Sequence, residues 1–274
     1  MITSNCQWLT RSRSFAVYII RYHSSIKNPE NLIYILPDTN LEKIPFITQY
    51  QQVFDLSKFN IPNLKQTSAK QRRPELKVAD SRLFYTPQLA LSFNNNTRQL
   101  DIQYSILRKI FEIISLIYHK SPLLLLDIGC GTGVSTESFT SNNCHFIGTD
   151  ISMSMLSMAV KKKSLKSCDY LQLDHSYRLP FRPNCFDVVI STSFLQWLLV
   201  TKDSKCILGR FYSFVSHILK PNGHFLLQFY PRNISDIQLA LTLSVEVFRG
   251  ALFSCRPHPK RGLKLFLFLY KEDK

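Results

Sequence analysis

The run Leu123-Leu-Leu-Leu-Asp-Ile-Gly-Cys-Gly-Thr-Gly133 constrains this 274-residue chain more than any other feature. An apolar stretch of strand length, closed by an acid and three alternate glycines, reads as a strand buried on both faces that ends in a sharp turn. Glycines at such a turn let the backbone bend tightly and approach a ligand with no Cβ in the way. A strand covered on both faces needs parallel neighbours and helices above and below. The rest of the sequence offers both. Strands are expected at 123–127, 144–149, 169–173, 186–191, 224–229 and 264–270, with a further one near 251–255. A helix is expected over Asp101–Tyr118, where Ile102, Ile106, Ile110, Ile113 and Ile117 recur at three- and four-residue spacing. Others are expected near 134–140, 152–162, 204–219 and 235–248, and Pro221-Asn-Gly223 reads as a turn. The alternation predicts an α/β fold: a doubly wound, mostly parallel, seven-stranded sheet.

The spacing of the glycines narrows the ligand. A dinucleotide fingerprint, G-x-G-x-x-G, would need glycine at 134, where Val134 stands. The acid-x-G-x-G-x-G form matches sites for S-adenosylmethionine (SAM), whose cationic aminoacyl end suits Asp127 and which has no pyrophosphate to seat. Gly129, Cys130, Gly131 and Gly133 are the loop expected to touch it. Seventeen residues after Gly133 the next strand ends in Asp150, followed by Ile151, where a carboxylate can accept both ribose hydroxyls. The third strand ends in Asp174, expected at the adenine amino group with His175 beside it. The fourth ends in Ser191. All lie at the carboxyl ends of successive strands, where open α/β sheets bind ligands. The sequence therefore predicts a class I, Rossmann-like SAM-dependent methyltransferase domain.

Composition excludes several other classes. No apolar run approaches the ~18 residues of a membrane span. Seven cysteines form an odd set without a C-x-x-C pair, which argues against a disulfide framework and a structural zinc site, so no metal is expected. The formal charge is +15, spread along the chain, which favours polyanionic partners. Residues 1–71 read as an N-terminal extension, irregular or targeting, before a domain at 72–274. Within it the first acid is Glu30, so residues 1–29 have the composition of an organelle address, and Pro29, Pro37, Pro45 and Pro62 break the rest into linker-like pieces.

Other segments carry a resemblance. Arg72-Arg-Pro-Glu75, Phe84-Tyr85, Asn96-Thr-Arg98 and Ile102-Gln103 precede the core in order. Asp150-Ile-Ser152 with Met155-Leu156, Ser193-Phe-Leu-Gln-Trp197 and Gln228-Phe-Tyr-Pro-Arg-Asn233 follow. Together, over about residues 72–270, they resemble the 18S ribosomal RNA guanine-N7 methyltransferase family. The resemblance implies methyl transfer from SAM to guanine N7 in small-subunit rRNA during small-subunit biogenesis, in the nucleus and cytoplasm. In that reading Trp197 stacks on or cages the guanine, Gln196 meets its edge, Tyr230 packs on the same face, and Arg98 holds the SAM carboxylate. No general base is implied, because N7 has a free lone pair at neutral pH.

The resemblance also implies a small zinc-binding activator subunit that adds a strand to the sheet edge, here at Asp169–Leu173. Three departures stand out. Arg232 replaces a usual Glu, His175-Ser-Tyr-Arg178 replaces a glycine-containing loop, and no Lys/Arg-rich tail follows Tyr270. RNA contact is then expected to draw on the scattered charge and on Arg256-Pro-His-Pro-Lys-Arg261. Two other readings remain open at this point: a small-molecule or acyl-carrier methyltransferase, and a non-catalytic assembly factor that keeps the fold.

Overall fold

The structure is a computed structural model that describes residues 32–49, 52–53, 73–78, 84–118, 122–138, 144–162, 168–177, 179–258 and 262–273. Its centre is the strand β3 (Leu123–Ile128), flanked on both sides by parallel strands and almost wholly buried. From β3 the chain runs outward through β4 (Cys144–Asp150) to β5 (Cys168–Gln172), then returns to the other flank as β6 (Phe186–Thr192) and β7 (Leu219–Phe229). The reversal between β3 and β6 opens a crevice at the carboxyl ends of the strands. β8 (Arg249–Cys255) and β9 (Lys264–Tyr270) complete the sheet, with β9 antiparallel to both β7 and β8.

The sheet has nine strands, two more than the sequence suggested. The extra pair, β1 (Leu32–Ile35) and β2 (Gln52–Val53), comes from the proline-broken stretch read as irregular. Here the sequence reading is corrected. β1 lies antiparallel on β8, with Ile33 opposite Phe253, and β2 pairs with β1. Alternation along β1 sends Ile33 into the core of one sheet face and Tyr34 into the other. Beyond the strand, the Thr39 hydroxyl donates to the Gly250 carbonyl and accepts from its amide, while Phe46, fully buried, packs on Phe253 and Phe268 at 5.0 and 5.1 Å. The expected address at 1–29 lies outside the described residues.

Helices cover both faces. On one lies the isoleucine-spaced helix, which runs from Thr97 to Ile117 and buries Ile106, Ile110, Ile113 and Ile114. It is preceded by short α1 (Pro74–Lys77) and by α2 (Pro87–Asn95), and is α3 here. It begins four residues earlier than its isoleucines suggest, because the Asn96 side chain accepts the Gln99 amide at 3.1 Å and caps it there. α4 (Val134–Ser138) and α5 (Met153–Lys161) follow β3 and β4. The other face is packed by α6 (Leu195–Leu199), α7 (Ser204–Ile218) and α8 (Ile234–Ser244), with Phe211, Tyr212 and Val215 of α7 in the core. The expected turn at 221–223 is absorbed into β7 as a bulge. Leu219 pairs with Phe186 and His224 with Val188, with Asn222 at φ 58° between them.

Candidate active site

The Gly-rich turn builds the floor of the crevice. Gly129, Gly131 and Gly133 all have φ between 56° and 76°, a region closed to most side chains. A Cβ on Gly129 would come within 3.0 Å of Phe194. The amides of Gly129 and Cys130 both donate to the Thr149 carbonyl, at 2.8 and 3.0 Å, and so bind the turn to β4. One residue on, Asp150 completes the frame. Its Oδ2 accepts the Gly131 amide at 2.9 Å and its Oδ1 the Ser152 amide at 2.8 Å. Burial pushes the Asp150 carboxyl up, and these amides oppose that shift.

Over this floor lies a cleft of about 600 Å³. Gly129, Cys130, Gly131, Asp150, Ile151, His175 and Arg98 line its cofactor side as expected from sequence, and Gln196, Trp197 and Tyr230 line it too. His175 is buried, with Nε2 2.9 Å from the Thr149 hydroxyl, and burial lowers its pKa to about 4. Trp197 is half-buried, its ring centroid 6.0 Å from Phe84 and 5.9 Å from Tyr85. The Gln196 side-chain oxygen accepts the Tyr230 amide at 3.4 Å. Burial raises the Tyr230 hydroxyl to about 12.

Four expected site residues stand outside the cleft wall. Gly133 packs against α5 and β5 instead: a Cβ there would meet the Tyr170 hydroxyl at 2.7 Å and the Ala159 Cβ at 3.0 Å. Asp127 lies beneath the turn, 1% exposed, and accepts the Ser135 hydroxyl. Burial raises its carboxyl to about 7, against the effect of that hydrogen bond and with a further push from Asp150, and Oδ1 has no partner. Asp174 uses Oδ1 on the Ser176 amide and hydroxyl, at 3.0 and 2.6 Å, so its turn presents the next residue, His175. Ser191 is buried and donates to the Ile128 carbonyl at 2.9 Å, which ties β6 to β3.

The structure also brings in residues that sequence reasoning did not assign to the site. Ser193 reaches the wall two positions after Ser191, at φ 58°, and its hydroxyl donates to Gln228 Oε1 at 3.2 Å and accepts from Gln103 Nε2 at 3.3 Å. A left-handed serine at a cleft marks stored backbone strain. Arg73, Glu75 and Tyr85 come from short segments before the first core strand. They lay in the stretches that carried the family resemblance, but their periodicity gave no indication of where they fold. Arg73 donates to the carbonyls of Tyr230 and Pro231, at 2.9 and 3.1 Å, and so straps that segment over the end of β7. Arg232, the charge reversal seen in sequence, is held through Nε and Nη2. It forms a two-pronged pair with buried Asp236, at 2.7 and 2.9 Å, and donates to the Leu199 carbonyl.

Known proteins are similar to this chain in sequence and in fold. Residues 126–227 fit the family described as "Methyltransferase domain". The "Probable 18S rRNA (guanine-N(7))-methyltransferase" of Dictyostelium discoideum is 31% identical over 203 residues, covering 72% of this chain and 70% of that protein. The "18S rRNA (guanine-N(7))-methyltransferase bud23" of Schizosaccharomyces pombe is 34% identical over 203 residues, covering 72% and 74%. Among solved structures, the N-methyltransferase NodS from Bradyrhizobium japonicum, in complex with S-adenosyl-l-homocysteine, superposes with a TM-score of 0.53 at 14% identity over 73% of this chain and 100% of that one, a likeness of fold. The chain therefore belongs to the 18S rRNA (guanine-N7)-methyltransferase family of class I SAM-dependent enzymes.

Proposed function

We propose that this chain transfers a methyl group from SAM to N7 of a guanine in small-subunit ribosomal RNA, and so acts where small subunits are assembled, in the nucleus and cytoplasm. The observation that carries the reading is the meeting, in one cleft, of the Gly131–Asp150 frame with the rings of Tyr85 and Trp197. The residues present fit SAM. The turn tolerates no Cβ at 129, Asp150 provides an anionic acceptor, Arg98 stands exposed at the rim for a carboxylate, and the volume is that of a small-molecule site.

When bound, SAM supplies an electrophilic methyl group on a sulfonium sulfur. Guanine N7 needs no base to attack it, so the chain's task is to hold acceptor and donor in line. The ionisable groups on the cofactor side suit that role. His175 is neutral and bonded to Thr149, and Asp150 is occupied by two amides. Trp197 and Tyr85 offer ring faces to a flipped-out base, and such faces also favour the cationic product. Gln196 braces this wall against β7 through the Tyr230 amide.

The test is to map 7-methylguanosine in small-subunit rRNA from cells with and without the protein. One 7-methylguanosine should vanish and return with the wild-type chain but not with Asp150→Ala. Unchanged rRNA modification overturns the reading.

We also infer that β5 accepts a strand from a small zinc-binding activator subunit. In support, β5 ends the sheet order and carries an exposed Leu171. Co-expression should raise the yield of soluble protein; a soluble, fully active chain on its own would count against it.

A further inference from the structure

The strap at the start of the domain carries a buried carboxylate with one oxygen, Oε1, that no hydrogen bond reaches. Arg73 is anchored on the Tyr230 and Pro231 carbonyls, which holds α1 and its buried Glu75 over the end of β7. The Glu75 side chain is 3% exposed, and Oε1 has no hydrogen-bond partner. Arg73 Nη1 is 3.9 Å away, beyond hydrogen-bond reach. Glu75 nevertheless lines the cleft that Tyr85, Trp197 and Tyr230 also line. A buried acceptor without a donor is costly in a fold unless a ligand brings the donor.

Burial pushes the Glu75 carboxyl up, opposed by its own backbone amide and by the charges of Arg73 and Arg232. Burial raises the Tyr85 hydroxyl, and the charges of Asp150 and Glu75 add to that shift, so both carboxylates are felt at this ring.

We propose that Glu75 is a specificity-determining residue, whose carboxylate accepts N1–H and N2–H of the target guanine and so selects guanine among purines. The proposal rests on the guanine-N7 reading above. Two adjacent acceptors on one carboxylate match two adjacent donors on the base. Guanine offers that pair on its Watson–Crick edge, whereas adenine presents an acceptor at N1. N7 lies on the opposite edge, so a guanine held in this way keeps N7 free. In the reaction the N7 lone pair forms the N–CH₃ bond, and the S–CH₃ bond breaks with its electron pair left on sulfur. No proton leaves the base, and Glu75 takes none. The new positive charge on the purine is instead offset by the carboxylate across the ring.

The test uses the full chain co-expressed with the activator subunit inferred above, SAM, and a short RNA copying the mapped methylation site with either guanosine or inosine at the target. Inosine keeps N7 and N1–H but lacks the N2 amino group. The wild type should favour guanosine by roughly tenfold to a hundredfold in kcat/KM, the worth of one hydrogen bond to a charged group. In Glu75→Gln, which offers one acceptor in place of two, the preference should fall to about twofold or less, with SAM affinity unchanged. Glu75→Asp, which keeps the carboxylate on a shorter stem, should retain part of the preference. Equal use of guanosine and inosine by the wild type overturns the proposal without any variant, as does a Glu75→Gln enzyme that keeps the full preference. Loss of SAM binding in Glu75→Gln also overturns it, since the carboxylate would then belong to the cofactor. Failure of the wild type to methylate the guanosine RNA at all sinks the guanine-N7 reading itself, whereas guanine methylation without the predicted preference sinks only the role of Glu75.

Discussion

Asp150 Oδ2 accepts the Gly131 amide at 2.9 Å, so the carboxylate ending β4 holds the Gly-rich turn that follows β3. The same side chain caps the start of the next turn through the Ser152 amide. One residue thus ties two loops of the cleft together and presents its charge there. Asp150→Ala should lower SAM affinity by about 2–3 kcal/mol through loss of a charge-assisted contact to the ribose. It should also lower the melting temperature by a few degrees, since two amides lose their acceptor. Calorimetric titration with SAM on the folded variant checks this. Near-normal affinity would mean the ribose lies elsewhere.

Trp197 separates substrate from cofactor. It is half-buried against Phe84 and Tyr85, on the wall opposite in role to the Gly-rich turn. Trp197→Ala should leave SAM affinity nearly intact while methyl transfer falls tenfold or more, since one base–aromatic stack is worth about 1–3 kcal/mol. If the ring serves the core instead, unfolding will be about 3–5 kcal/mol easier and SAM binding will fail with it. Thermal unfolding, SAM titration and 7-methylguanosine yield on one variant distinguish the outcomes.

Phe46 makes the N-terminal segment part of the folded domain. It is fully buried against Phe253 and Phe268, which lie on neighbouring strands β8 and β9. Phe46→Ala should cost about 3–5 kcal/mol of stability. A denaturant midpoint equal to that of the wild type would mean that this segment contributes nothing to the core.

Two buried histidines contribute to the acid limb of stability. Burial lowers both His175 and His224 to about 4, from an ordinary value of 6.5. The unfolded chain gains a proton at each as pH falls through about 6.5, whereas the folded chain does not until about 4. Their contribution is therefore complete above pH 6.5 and is lost progressively down to pH 4. Asp127 acts in the opposite sense. Raised to about 7, it keeps in the fold a proton that the unfolded chain releases near 4, so its contribution declines as pH rises towards 7. His224 lies outside the cleft, tilted against Phe268 with Nδ1 2.9 Å from the Tyr118 hydroxyl, so His224→Phe loses that hydrogen bond at every pH but removes one titrating group from the pH dependence. Its stability should fall less than that of the wild type between pH 6.5 and 4, by up to about 3 kcal/mol. Parallel curves would refute the assignment.

Some of this protein is determined by sequence alone because the cause is local. Alternate glycines after an apolar run require a strand and a tight turn, isoleucines at helical spacing require a helix with one buried face, and Asp150 follows at the end of the next strand. Those features place the fold and half of the cleft. The tertiary structure decided the rest. Leu32–Ile35 is four residues long, and its partner Arg249–Cys255 lies over two hundred residues away, so no local pattern announces the pairing. Asp174 and His175 are neighbours, yet only His175 lines the cleft, because Asp174 is turned back onto Ser176. Ser191 and Ser193 exchange roles for a similar reason: Ser191 is bound to the Ile128 carbonyl inside the sheet, while Ser193 lies past the strand end at positive φ. Glu75 reaches the site only because Arg73 is held by two carbonyls at the end of β7. Each of these outcomes depends on a hydrogen bond to a distant strand or to a turn's own backbone, and such bonds have no period in the sequence.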